Sequence, residues 1–204
     1  MDEKELYAQL GALTKNKAQW KENIPFAASL LKGQSVKITG KSLWMLGEMG
    51  LLYPAGVRPF LEEIASFLDA EDAFLRERAL NALGRIGRAE YTLVRPYWEK
   101  LLSLAEDGSP NVRLSFIWAS ENIATNTPEA YEDAVPVFER LLDDENVRVR
   151  MEAPEMFRVL GKRKPEYVRH CLEKLRLLSE HDGDRVVRIH AGGAIRAISA
   201  HSGS

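Results

Sequence analysis

An all-α solenoid of stacked helical hairpins is the fold this sequence predicts, and three observations predict it. One small residue recurs every 37 positions near the end of a helical stretch, at Gly50, Gly87, Ala124 and Gly161, with Ser199 closing a fifth period one residue late. In the same register Leu75-Arg76, Val112-Arg113, Val149-Arg150 and Val187-Arg188 superpose, and Asp107, Asp144 and Asp182 each lie five residues before the valine. Within each period apolar residues fall at relative positions 0, 4, 7, 8 and 11, which is one face of a helix. A period of this length is one hairpin. It cannot bury its apolar face alone, so neighbours must stack into a continuous core.

Taken in order, residues 4–20 read as an extra amino-terminal capping helix, followed by about five hairpins at roughly 22–52, 55–89, 92–125, 131–162 and 165–200. The second helix of each hairpin carries the core slots: Ile38, Ser42, Met45, Leu46 and Met49, then Leu75, Ala79, Ala82, Leu83 and Ile86. Three further rows follow: Val112, Phe116, Ala119, Ser120 and Ile123; Val149, Ala153, Met156, Phe157 and Leu160; Val187, Ala191, Ala194, Ile195 and Ile198. The preceding helices are amphipathic too, with Pro59, Pro96 and Pro136 expected in their first turns, where a missing N–H costs nothing. Gly50 to Gly56 and Thr125 to Glu132 read as connections, and His201 to Ser204 as a frayed tail. Because each hairpin packs only on its neighbours, 1–204 reads as a single domain.

Composition narrows the function classes. Lys plus Arg number 28 against 30 Asp plus Glu, a net charge of −2, so no global field recruits nucleic acid or an anionic membrane. The start, Met1 to Glu5, has neither a basic nor an apolar run, and no window approaches the roughly 18 apolar residues of a spanning helix, so a cytoplasmic location is expected. Cys171 is the single cysteine and reads as a small apolar residue on a packed helix. His170, His181, His190 and His201 show no metal-ligand spacing with it, and neither HExxH nor a glycine-rich phosphate loop occurs. No metal site, cofactor or catalytic residue is assigned.

The pattern Asp-x4-Val-Arg-x2-Ala, at Asp144 to Ala153 and Asp182 to Ala191, resembles HEAT repeats of the armadillo type over roughly 22–200. The resemblance implies a ladder of ion pairs between successive hairpins. Gly33 and Thr39 stand where the first copy needs Asp and Arg, and Ala70 replaces the second Asp, so the ladder is expected to begin at the third hairpin.

At about 100° per residue, relative positions 2, 6, 9 and 13 of each second helix lie opposite its core slots. In HEAT-like stacks that strip lines the concave surface. It carries Trp44, Asn81, Arg88, Leu114, Trp118, Glu121, Met151, Glu155, Arg158, Lys162, Ile189 and Arg196, and these are the candidate groove residues. Trp44 and Trp118 occupy the same relative position two hairpins apart, and large apolar groups facing solvent mark binding surfaces. Glycines at 40, 47, 84 and 193 are expected to deepen the groove.

A narrower resemblance begins at Val112. The run Val112 to Ala119, continued by Asn126-Thr127-Pro128-Glu129, is similar to a segment of the bacterial HEAT-like alkylpurine DNA glycosylases. That resemblance implies concave-face tryptophans, matched by Trp118, an acidic residue four positions after a tryptophan, approached by Trp44 and Glu48, and basic residues for the DNA backbone. Glu121 stands at one of the basic positions. The reading is a non-catalytic scaffold or adaptor holding a protein or peptide segment in its groove. The alternative is a nucleic-acid-binding, DNA alkylation-repair glycosylase-like protein.

Overall fold

The computed structural model describes residues 2–200; the tail expected at His201 to Ser204 lies outside the described residues. No strand occurs among the described residues, and the fold is the all-α solenoid the repeat implies. The chain divides between Leu101 and Leu102 into two compact units. The first contains α1 (Glu3–Lys15), α2 (Trp20–Ser29), α3 (Val36–Leu52), α4 (Pro54–Val57), α5 (Leu61–Ser66), α6 (Ala73–Ala89) and α7 (Tyr91–Val94), with α8 (Trp98–Ser103) at the boundary. The second contains α9 (Pro110–Asn126), α10 (Val135–Leu141), α11 (Val147–Arg163), α12 (Pro165–Val168), α13 (Leu172–His181) and α14 (Arg185–Ala200).

The second helices of the hairpins are α3, α6, α9, α11 and α14. Their first residues, 36, 73, 110, 147 and 185, keep the 37-residue period and the one-residue delay of the fifth copy. Of the core slots, only Leu75 and Ile195 retain intermediate exposure; the others are buried. In the first unit α2 and α6 both pack on α3, and in the second α9 and α14 both pack on α11. The recurring small residue marks the crossing point. A Cβ on Gly161 would stand 2.6 Å from Ile198 Cγ1, and one on Gly50 would run into Ile86. Aromatic stacking supplements the second core, where the Phe116 and Phe138 rings lie 5.2 Å apart and near parallel.

The first helices depart from expectation. Pro59 and Pro96 do not open them but sit in 3-10 turns, Arg58–Phe60 and Arg95–Tyr97, that split each helix into short pieces. A proline inside a helix removes one hydrogen bond and clashes with the carbonyl four residues back, so the ladder breaks there. Pro136 does lie in the first turn, of α10. The connection expected over Gly50 to Gly56 contracts to Tyr53, since α3 runs through Leu52 and α4 starts at Pro54. The capping helix likewise stops at Lys15, and a 3-10 turn carries the chain into α2.

The ion-pair ladder forms in the second unit. Arg113 grips Asp144 in a two-pronged pair, Nε to Oδ2 at 2.7 Å and Nη2 to Oδ1 at 2.8 Å. Arg150 Nε donates to Asp182 Oδ2 at 3.0 Å. Each arginine also reaches back to its own hairpin turn, Arg113 to the Asp107 carbonyl and Arg150 to the Asp144 carbonyl, at 2.8 and 2.9 Å. Burial works against the charge of Asp182, but the Asp184 backbone N–H and the Arg150 guanidinium prevail and hold its carboxyl below the usual range. Gly33, at the missing first rung, adopts a φ of +68°, a turn that favours glycine.

Helix starts are capped locally. Asp2 accepts from the Glu5 N–H while Glu5 accepts from the Asp2 N–H, and the Asn146 side chain accepts from the Arg148 N–H at 3.0 Å. Asn146→Ala should therefore cost about 1 kcal/mol in a urea titration, and Asn146→Gly only a few tenths. Equal losses for both would show that the cap contributes nothing.

Candidate functional site

In the first unit the exposed arc of the second helices is displaced from the one expected. Relative position 9 is closed in the first unit, because a Cβ on Gly47 would stand 2.7 Å from the Ala82 backbone. A glycine there brings α3 and α6 together and adds no depth to a groove. Gly40 is likewise covered, by the Phe74 ring, and Gly84 is buried. There the neighbouring second helix closes that edge, so in the first unit the open side runs through positions −1, 3 and 6, at Lys37, Lys41 and Trp44 of α3 and at Phe74, Arg78 and Asn81 of α6.

In the first unit Trp44 is half-buried, with the Lys41 ammonium 4.1 Å above its ring. Asn81 is half-buried and donates to the Glu77 carbonyl, while Arg88 is exposed. Glu48, the carboxylate of the glycosylase-like element, pairs with Arg85 at 2.5 Å. It points to the neighbouring helix α6.

In the second unit Trp118 and Ile189 are the exposed apolar members, at 39% and 53%. Two expectations are corrected. Leu114 is buried, because α9 is packed around most of its circumference from Val112 to Ala124. Glu155 is buried as well, held by an ion pair to Arg158 one turn on. Met151 is half-buried; Arg158, Lys162 and Arg196 are exposed.

Five of the candidate residues, Glu121, Glu155, Arg158, Ile189 and Arg196, line one cleft of about 450 Å³ with Glu152, His190 and Gly193. Helices α9, α11 and α14 each contribute, so the cleft exists only because the hairpins stack. Glu121 lies one turn beyond Trp118 on the same side of α9. Its Oε1 is buried and has no hydrogen-bond partner among the described residues. Burial, then the charges of Glu152 and Glu155, push its carboxyl up to about 8 against the opposing pull of Arg158. His190 Nδ1 lies 2.7 Å from the Met151 carbonyl oxygen, which can only accept, so that nitrogen carries the proton. The cleft sets Glu121, Glu152 and Glu155 against Arg158 and Arg196, with Glu155 paired to Arg158, exposed Ile189 in its wall, and exposed Trp118 one turn from Glu121 along α9. Such a site suits a cationic or hydrogen-bond-donating group attached to an apolar one.

Sequence reasoning missed Lys41, Arg78, Glu152 and His190, which share relative position 3 of their helices. That recurrence of polar residues one step off the chosen strip was the available signal. It also missed the convergence of Glu139, His170 and Cys171, whose ligand atoms lie within 4.8 Å of one another. Cys171 donates to Glu139 Oε1 at 3.0 Å, and burial first, then that hydrogen bond, push its thiol far above the ordinary range. A protonated thiol and two further groups fall short of the four ligands of a closed zinc site.

No helix among the described residues is long and apolar enough to cross a membrane. No curated protein matches the sequence. The fold is similar to that of a designed armadillo repeat protein solved in complex with the peptide (KR)4, with a TM-score of 0.71, 20% identity, and coverage of 97% of this chain and 94% of that one. It is also similar to an engineered protein at a TM-score of 0.69 and 17% identity, covering 95% and 84% of the two chains. A computationally designed armadillo repeat protein for modular peptide recognition gives 0.66 and 18%, covering 96% and 94%. At such identities the likeness establishes the armadillo-type solenoid. The family model described as sister chromatid cohesion protein PDS5 matches residues 48–191, most of the sequence, and the chain belongs to that family.

Proposed function

We propose that this protein is a non-catalytic scaffold whose second unit holds a segment of another protein, one bearing basic side chains beside apolar ones. The observation that carries this reading is the buried, unpartnered Glu121 oxygen among Glu152 and Glu155, in a cleft lined by exposed Ile189 and one turn along α9 from exposed Trp118. A lysine or arginine of the segment relieves the carboxylate repulsion, and Trp118 supplies the apolar contact that aromatic anchors make at interfaces. The armadillo-type neighbour in complex with (KR)4 supports the same chemistry on the same kind of scaffold. Membership of a family named for a cohesion protein supports a role in binding rather than in turnover.

Fluorescence anisotropy with a labelled (KR)4 peptide carrying one added leucine tests the proposal. Trp118→Ala and Glu152→Gln should each weaken binding by about tenfold, equivalent to roughly 1.4 kcal/mol, with the fold intact by circular dichroism. Affinity should rise as pH increases through 8, because Glu121 becomes a carboxylate there. Duplex DNA bound more tightly than the peptide, or release of an alkylated base abolished by Glu48→Gln, would replace this reading with the glycosylase-like one.

A further inference from the structure

A second pocket, of about 230 Å³ and wholly within the first unit, alternates cations with aromatic rings. The Lys37 ammonium lies 4.3 Å from the Tyr7 ring centre, that of Lys41 lies 4.1 Å from Trp44, and the Arg78 guanidinium lies 4.7 Å from Phe74. Lys37, Lys41 and Arg78 form no ion pair with a carboxylate among the described residues, whereas Lys32, Arg85 and Lys100 of the same unit each have one. Three positive charges therefore face one another across a small pocket with only ring faces to steady them.

The repulsion is visible at Lys41, whose ammonium is held below its ordinary range by burial and then by the Arg78 charge. The scaffold tolerates this cost at rest, so an anion entering the pocket recovers it. Gly40 leaves the room that the Phe74 ring occupies over the site, since any side chain there would collide with the ring. Tyr7 comes from α1 and stands exposed at the rim.

We infer that the pocket formed by Tyr7, Lys37, Lys41, Trp44, Phe74 and Arg78 binds a phosphate monoester carried on a small organic group. A carboxylate neutralises one of the three cations, whereas a phosphate monoester brings nearly two charges and three acceptor oxygens to them. The surrounding rings give the attached carbon skeleton an apolar wall, which inorganic phosphate does not use. The group could be borne by a free metabolite or by a phosphorylated side chain of a protein. The inference is independent of the segment-binding reading, since it uses no residue of the second unit.

Isothermal titration of the whole chain with inorganic phosphate, phenyl phosphate, a short phosphoserine peptide and its unphosphorylated counterpart tests it. Phenyl phosphate should bind about tenfold more tightly than inorganic phosphate, and Lys41→Gln or Arg78→Gln should each weaken it by about tenfold. A measurement that needs no variant accompanies these: trace acetylation read by mass spectrometry. Saturating phenyl phosphate should slow modification of Lys41 several-fold and leave that of exposed Lys15 unchanged. A phosphoserine peptide bound more tightly than phenyl phosphate assigns the site to a protein partner, and the reverse order assigns it to a small molecule. The proposal is overturned if no phosphate compound binds below the millimolar range, if the unphosphorylated peptide binds as well as the phosphorylated one, or if Lys41 is not protected.

Discussion

Arg113→Ala should destabilise the protein by about 3–5 kcal/mol in a urea titration, the cost of leaving one partner of a buried ion pair uncompensated. The Arg113 and Asp144 side chains retain only 9% and 7% of their exposure, so the substitution takes the counter-charge from a buried aspartate and leaves it the Asn146 N–H at 2.8 Å. The same change frees the Asp107 carbonyl that Arg113 also caps. Arg148→Ala provides the contrast. Its guanidinium contacts Asn111 at the surface, and its removal should change stability by less than about 0.5 kcal/mol. Replacing both rung partners, Arg113→Met with Asp144→Leu, should recover part of the loss, because the cost lies in the orphaned charge rather than in the missing attraction. A loss below about 1 kcal/mol for Arg113→Ala would show the rung to be dispensable.

Glu121→Gln should make the protein more stable at pH 9, by about 2–4 kcal/mol, while leaving it nearly unchanged at pH 5. In the folded chain this carboxyl titrates near 8; unfolded, it returns to the ordinary value of 4.5. Between those values the folded state keeps a proton that the unfolded state has released. Stability is therefore full below pH 4.5 and is lost as pH rises through 8, the reverse of a salt-bridged carboxylate. The glutamine cannot titrate, so thermal melts from pH 5 to 9 should show a declining curve for the native chain and a flatter one for the variant. Parallel curves would mean that Glu121 finds solvent or a partner on ionisation.

Much of the fold was legible because stacking repeats the same demands every 37 residues. Met156, Phe157 and Leu160 had to be core once Ala82, Leu83 and Ile86 were, and all are buried. The rungs at Asp144 and Asp182 were legible through the resemblance to HEAT repeats, which implies the ladder. The breaks at Pro59 and Pro96 were not, because a proline that opens a helix and one that interrupts it look alike without the preceding turn. The site was less legible still. Helical angles place Glu155 opposite the core, but they carry no information about how far the adjacent helix wraps around that side. The small residues Gly47 and Gly84 looked like space left for a ligand and were space taken by a neighbour. The cleft around Glu121 required three helices from three hairpins, and no spacing within one helix encodes their convergence.

The ladder has a mechanical meaning for the second unit. Its rungs tie residues 31 and 32 positions apart, and each arginine is anchored at both ends, to its own turn and to the next. No rung spans more than one neighbouring hairpin. A bending load is then met as a series of small rotations about successive rungs, each opposed by its own pair, instead of by a single hinge. A bound segment lying across α9, α11 and α14 would feel that series as one compliant surface, able to adjust its curvature to the ligand while every rung stays closed.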